Sequence, residues 1–388
     1  MNILFLTQFF SNTRGGGEYL FSLMAKELSK NDHNVWIITN KIIGEKYSQK
    51  DKIVFVKPDL VYKGGLPPKF LDNLRYFVNT IIKGRKIIKK EKIDIIHSNN
   101  FSPALAGAVL SVITKKPHVT AIWDIFTLCG KNYWHKWVEQ SNVSKINEII
   151  GPKFEKLILR VKNDAIHTIS EATKEDLVKF GSKKPIHVIL PSIEQIEKIN
   201  SNTNTLQFVC IGRLVFYKNI EILIRAFSHI KKSEPNVNLI LIGEGPHKPI
   251  LKKLVDELKL ENNIIFKGFV TDREKIQIIS ESNSLLFPSL CEGFGLVILE
   301  AFSQAKPVLV SKIRPMSDIV HHGKTGFVVD PQDELDWTSK ILEMIKNPTS
   351  SEEMGNNGFK IFLEKYDKRK MSDKILEMYY QVISRSHD

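Results

Sequence analysis

The sequence predicts an α/β protein made of two parallel-sheet units in tandem. Three observations carry this. The chain has 388 residues, too many for one ordinary core. It opens as strand, glycine loop, helix, strand: Asn2–Thr7, Gly15-Gly16-Gly17, a helix from Glu18 to Lys30, then Val35–Thr39. That is a βαβ unit, which joins parallel strands by a right-handed crossover. The same rhythm restarts at Leu206–Ile211, followed by a helix over Asn219–Lys231 and a strand over Asn238–Ile242. The polar run Ser201-Asn202-Thr203-Asn204-Thr205 reads as the linker, so domains over 1–195 and 206–371 are expected.

Composition narrows the class. With 42% hydrophobic and 26% charged residues the chain is neither fibrous nor low-complexity. No apolar run approaches the ~18 to 20 residues of a spanning helix. The first residues lack the basic region of a secretion signal, so a cytoplasmic location is expected. Cys129, Cys210 and Cys291 have neither metal-ligand nor disulfide-scaffold spacing. Charge is uneven: residues 1–195 carry 30 Lys and Arg against 18 Asp and Glu, a net +12, leaving +1 of the total +13 for the rest. An anionic surface or substrate is therefore expected at the first half. No nucleic-acid recognition motif accompanies the charge.

Taken in order, Leu20, Leu23, Met24 and Leu28 recur with helical period behind the first glycine loop. Those glycines do not form G-x-G-x-x-G, so nothing points to a nicotinamide cofactor. Residues 69–92 form a basic amphipathic segment interrupted at Gly84. Phe70, Leu74, Phe77, Val78 and Ile81 share one face, and Lys83, Arg85, Lys86, Lys89, Lys90 and Lys92 cluster at the end. The apolar face is expected to pack on its own sheet, and the lysine cluster could lie on an anionic bilayer.

Ile93–His97 is a strand ending in His97-Ser98-Asn99-Asn100. A polar cluster beyond a strand's carboxyl end is where open α/β sheets bind ligands; a hydrogen-bonded structural histidine is the equal alternative. Val119–Trp123 is a further strand, followed by Asp124. Ser170 is a good N-cap for a helix to Phe180.

In the second half, Gly212-Arg213-Leu214-Val215-Phe216-Tyr217-Lys218 stands between strand and helix. Arg213 and Lys218 there would neutralise a diphosphate and hold its charge as it leaves. Gly243-Glu244-Gly245-Pro246 and Gly268-Phe269-Val270 each follow a strand, and His247 reads as a solvated loop residue. The densest signal is 284–307. There a strand (Ser284–Phe287) runs into a turn carrying Glu292, Gly293, Phe294 and Gly295, and a helix follows until Pro307. Free N–H groups at such a helix start suit a phosphate. Carboxylates at Glu292 and Glu300 suit a ligand with diols. Either alone could be a solvated helix-end carboxylate. On an unbroken helix the two would lie roughly 12 Å apart, which fits two separate binding tasks better than a paired glycosidase.

The Glu292-Gly293-Phe294-Gly295 turn, with seven residues separating Glu292 from Glu300, resembles the retaining GT-B glycosyltransferases of family 4. The resemblance extends more weakly along nearly the whole chain. It implies two Rossmann-like doubly wound domains facing a central cleft, with the terminal helix 372–388 returning to the first, acceptor-binding domain. It implies that Glu300 holds the ribose diol, that Glu292 contacts the transferred sugar, and that Gly293, Phe294, Gly295 and Leu296 hold sugar and phosphate. Arg213 and Lys218 would grip the diphosphate, so no metal and no other cofactor is expected. Gly212, Gly243, Phe269 and Val270 would line the nucleotide, and Gly16, Gly17, His97, Trp123 and Asp124 the acceptor side. Family members commonly have a histidine where Trp123 stands. The partners implied are a nucleotide-sugar donor and a glycan or lipid-linked acceptor; from the basic charge of the first domain, peripheral contact with an anionic membrane at its inner face is a further expectation. A non-catalytic nucleotide-sugar-binding homologue, sugar-nucleotide epimerisation and phosphorolysis are the alternatives.

Overall fold

The computed structural model describes residues 1–11, 15–48, 51–61, 69–130, 132–141, 143–194, 196–199 and 205–386. Residues 201–204 of the expected linker lie outside them. The chain divides into two compact units. Unit 1 comprises 1–134, 145–192 and 368–388, and unit 2 comprises 135–144 and 193–367.

Unit 1 runs β1 (Asn2–Leu6), α1 (Gly16–Lys30), β2 (Asn34–Ile42), β3 (Lys52–Leu60), α2 (Phe70–Lys90), β4 (Ile95–Ser98), α3 (Ser102–Thr114) and β5 (His118–Ala121). It continues through α4 (Tyr133–Ser141), most of which groups with unit 2, to α5 (Asn147–Arg160), β6 (Ala165–Thr168), α6 (Glu171–Lys179) and β7 (Ile186–Val188). Its sheet has the order β3-β2-β1-β4-β5-β6-β7, with every pairing parallel. Short runs such as Ile3-Leu4-Phe5-Leu6 are wholly buried, because helices cover both faces of such a sheet.

Unit 2 runs β8 (Gln207–Ile211), α7 (Ile220–Ile230), β9 (Asn238–Ile242), α8 (Lys248–Glu257), β10 (Ile264–Gly268), α9 (Asp272–Glu281), β11 (Ser284–Phe287), α10 (Leu296–Ser303) and β12 (Val308–Ser311). Then follow α11 (Met316–Ile319), β13 (Gly326–Val329), α12 (Glu334–Lys346) and α13 (Pro348–Lys365). The terminal helix, α14 (Lys368–Arg385), belongs to unit 1. The second sheet has the order β10-β9-β8-β11-β12-β13, again all parallel. In both sheets the order reverses beside the first strand, at β1/β4 and at β8/β11. Such a switch point opens a crevice beyond the carboxyl ends of the strands.

Two expectations for residues 69–92 are corrected. The helix α2 is not interrupted at Gly84. A Cβ there would sit 2.6 Å from Leu110 Cδ1, so glycine is what lets α2 and α3 pack closely. The face turned to the core carries Tyr76, Thr80, Gly84 and Ile88. Of the residues expected to pack, Ile81 lies against that core and Phe77 is half-buried, whereas Phe70, Leu74 and Val78, with Ile82, stand outward, 45% to 80% exposed, because core packing selected the neighbouring face.

Candidate functional site

The switch point of unit 2 is built by loops laced together at the ends of β8, β9, β10 and β11. Gly212 N–H donates to Ile242 O at 3.0 Å, and Gly243 N–H to Gly268 O at 2.8 Å. Leu214 N–H donates to Glu244 O at 3.0 Å, and Leu290 N–H to Tyr217 O at 2.7 Å. The backbones approach so closely that a Cβ on Gly243, whose φ is +132°, would lie 2.0 Å from Gly212 O. Only glycine fits there.

Arg213 and Lys218 flank a short 3-10 turn, Phe216–Lys218. The Arg213 guanidinium donates from Nη2 to Tyr217 Oη at 2.6 Å, which fixes its orientation. The Lys218 ammonium is hydrogen-bonded to Glu292 Oε1. It also lies 4.9 Å above the Phe287 ring at the end of β11. Glu292 stands in the turn, four residues before α10 begins at Leu296, so it is not stacked along one helix with Glu300. Gly295 takes φ +93° to start that helix, packed on Phe287 and Ile298. Ile298 N–H donates to Gly295 O at 2.9 Å, and the N–H groups of Leu296 and Val297 open the helix at the end where a phosphate is favoured.

Glu300, 15% exposed, receives a hydrogen bond on Oε1 from Lys275 Nζ at 2.8 Å. Its other oxygen, Oε2, is buried with no hydrogen-bond partner. A buried carboxylate oxygen left unpaired is destabilising by about 1 to 3 kcal/mol, and a ligand hydroxyl would relieve it. Lys275 was not foreseen. The signal lay in Thr271-x-x-Glu274, a capping box whose two hydrogen bonds both form and which starts α9 just before it.

The remaining candidates divide. Gly293 is buried and Leu296 half-buried at the helix start. The Phe294 ring is core, 3% exposed and edge-on to Tyr366, so only its backbone is open to a ligand role. Phe269 is 68% exposed beside the half-buried Val270. His247 is not solvated as expected: it is 8% exposed and hydrogen-bonded to Glu221, and its Nδ1 lies 2.7 Å from Gln140 Nε2. Gln140 Oε1 in turn accepts from Phe216 N–H at 3.1 Å, so this network braces the Arg213–Lys218 loop.

In unit 1, Gly16 is exposed at the start of α1, and a Cβ on Gly17 would lie 3.0 Å from the Trp123 ring. Trp123 is 9% exposed, packs on Phe21 with ring centroids 5.2 Å apart, and has no partner for Nε1. Asp124 is half-buried beside it. His97 is not presented to a ligand. It is wholly buried, with Nδ1 bonded to Tyr379 Oη at 2.6 Å and Nε2 3.4 Å from His167 Nδ1. Burial, then repulsion from His167 and His118, holds its pKa well below the ordinary value. Of the two readings of His97, the structural one fits.

Two sheets of this order with these loops define the GT-B class. Over 99% of the chain the fold matches all of a sucrose-phosphate synthase from Thermosynechococcus elongatus, with TM-score 0.83 and 19% identity. It matches Anabaena HepE in complex with UDP-glucose over 98% of this chain and 100% of that one, with TM-score 0.77 and 21% identity. The sequence pattern described as Glycosyltransferase Family 4 matches residues 14–194, and that of Glycosyl transferases group 1 matches 191–361. The chain belongs to the family 4 glycosyltransferases. Its relatives include an uncharacterized glycosyltransferase of Methanocaldococcus jannaschii, 25% identical over 92% of each chain. The alpha-monoglucosyldiacylglycerol synthase of Acholeplasma laidlawii is 24% identical over 92% of this chain and 90% of its own.

Proposed function

We propose that this glycosyltransferase moves a hexose-type sugar from a nucleoside-diphosphate sugar to a glycan or lipid-linked acceptor, with retention of anomeric configuration. One observation carries the reading: the unpartnered, buried Oε2 of Glu300 in the same unit as the Arg213 and Lys218 cations. An open carboxylate oxygen accepts from a ribose hydroxyl, and the two cations balance a diphosphate. The UDP-glucose held by HepE and the glycolipid named for the Acholeplasma synthase support the donor and acceptor classes.

In this reading 206–371 is the donor domain, and 1–195 with 372–388 is the acceptor domain. Glu292 orients the transferred sugar by its hydroxyls. Arg213, Lys218 and the first N–H groups of α10 take up the charge that grows on the leaving diphosphate. The acceptor hydroxyl attacks the anomeric carbon on the face that the diphosphate leaves, and a departing phosphate oxygen accepts its proton. The cations serve where other transferases use a metal, so turnover should persist in chelator.

The outer face of α2 extends the proposal to location. Phe70, Leu74, Val78 and Ile82 stand exposed on a helix that also exposes Arg85, Lys86, Lys89 and Lys90. That pairing suits peripheral binding to an anionic bilayer, and a lipid-linked acceptor would be met there. Among the described residues no helix is long and apolar enough to cross a membrane.

Thermal-shift titration with uridine, guanosine, adenosine and thymidine diphosphates and their sugars tests the donor. Nucleotide release is then followed with isolated lipid fractions as acceptor. Stabilisation by one nucleotide together with acceptor-dependent release is expected. Binding without any turnover would favour a non-catalytic homologue, and product formed without acceptor would favour epimerisation.

A further inference from the structure

Lys275 does nothing in the scheme above, yet it is the better anchored partner of the carboxylate on which that scheme depends. It stands on the first turn of α9, 20% exposed, and bridges two acids: Glu300 Oε1 at 2.8 Å and Asp272 Oδ1 at 3.0 Å. Burial disfavours its charge, but the attraction of Glu300 and Asp272 outweighs burial and raises its pKa above that of an ordinary lysine. The ammonium therefore stays charged at neutral pH.

Its geometry is one-sided. One carboxylate oxygen is held, and the other is buried and left without a partner. A symmetric surface ion pair would share both oxygens or leave the free one to water. Holding Oε1 removes the rotamer freedom that Glu300 would otherwise lose on binding. It also leaves a single acceptor oxygen in a fixed place. The other anchors of α9 hold Lys275 in turn: the Thr271–Glu274 capping box fixes the first turn, and Asp272, three residues before Lys275, takes a second N–H.

We propose that Lys275 is a positioning residue that locks Glu300 with Oε2 open, so that the unit selects nucleotides carrying a ribose hydroxyl. The proposal rests on the reading of Glu300 as the ribose acceptor. It deepens that reading by assigning the selection to a lysine on a different helix.

The test compares binding of the preferred nucleoside diphosphate, its 2′-deoxy and 3′-deoxy counterparts and inorganic diphosphate by calorimetry. The proteins are wild type, Lys275→Met, Lys275→Gln and Lys275→Arg. Wild type should prefer the ribonucleotide over at least one deoxy form by about tenfold or more, the worth of one charged hydrogen bond. Lys275→Met and Lys275→Gln should each shrink that preference to about threefold or less, since an untethered Glu300 must be ordered anew. Both should bind inorganic diphosphate as wild type does, which also reports a folded site. Lys275→Arg should restore part of the preference. If either neutral variant binds diphosphate normally and keeps the full preference, the lock is wrong and the reading of Glu300 stands. If wild type binds ribo and deoxy forms equally, the reading of Glu300 falls and the lock with it.

Discussion

Lys218 and Glu292 neutralise each other: the ammonium is hydrogen-bonded to Glu292 Oε1, and each side chain is only 13% exposed. Two groups proposed to meet different parts of one donor are thus paired with each other. In the proposed reading a diphosphate would compete with Glu292 for Lys218. The pairing keeps both charges from being buried alone, which would be costly.

Removing the acid should separate binding from transfer. Glu292→Gln is expected to lower transfer by about 100-fold or more, because a positioned charged group near the reacting sugar is lost. Nucleoside diphosphate should bind as tightly as to wild type or more tightly, since Lys218 is released. Steady-state turnover and calorimetry on one preparation decide it; weakened binding with near-normal turnover would reverse the assignment of roles.

Tyr217 orients Arg213 through the 2.6 Å bond to its phenol. Tyr217→Phe should leave the charge in place and loosen its aim, raising the donor KM by about threefold to tenfold, the value of one ordinary hydrogen bond. An unchanged KM would mean that the guanidinium is held without the phenol.

The close approach of Gly243 to Gly212 predicts a steep steric penalty. Gly243→Ala places a methyl 2.0 Å from a carbonyl oxygen at φ +132°. It should destabilise the protein by about 3 kcal/mol or more and abolish nucleotide binding. Gly44→Ala is the control: its φ is +83° but nothing lies within 4 Å, so only the backbone term of about 1 to 2 kcal/mol remains. Urea denaturation of both variants, with matched losses, would show that strain and not contact governs.

Unit 1 should be acid-sensitive. Burial holds His118 at about 4, against the stabilising bond from its Nδ1–H to Lys162 O. Burial, with repulsion from His187, holds His167 at about 3. Both values lie below the ordinary 6.5, so as pH falls the unfolded chain takes up protons first. Stability is full above about 6.5 and declines as pH drops toward 4, by at most about 1.4 kcal/mol per pH unit for each group. Urea midpoints at pH 7 and pH 5 measure it, and His118→Gln should reduce the difference.

The exposed stripe on α2 gives the last prediction. Leu74→Asp with Val78→Asp changes two outward residues that the core does not use, so folding should survive. Binding to vesicles containing anionic lipid at low salt should fall about tenfold or more. Wild type that fails to sediment with such vesicles would end the idea of membrane contact through this face.

The parallel-sheet order was legible because buried strands between amphipathic helices leave a periodic trace, and Gly293 with Gly295 marked a helix start directly. Glu292, Glu300, Arg213 and Lys218 were singled out by the resemblance of their joint pattern to the family, since a lone helix-end carboxylate or a pair of loop cations is common on surfaces. Strand β3 was missed because Lys52–Leu60 mixes Lys57, Pro58 and Asp59 into an edge strand, where half-burial blurs alternation. His247 was misread because its partners, Glu221 and Gln140, are 26 and 107 residues away.

By itself the sequence determined the fold class, the family and the residue types at the candidate site, since local periodicity and short spacings encode them. Tertiary structure alone decided which oxygen of Glu300 is taken by Lys275 and which is left open. It also decided that Lys218 rests on Glu292 and that the apolar stripe of α2 faces outward. These are contacts between segments distant along the chain, and no spacing records which partner a side chain meets once packing has chosen among the faces available.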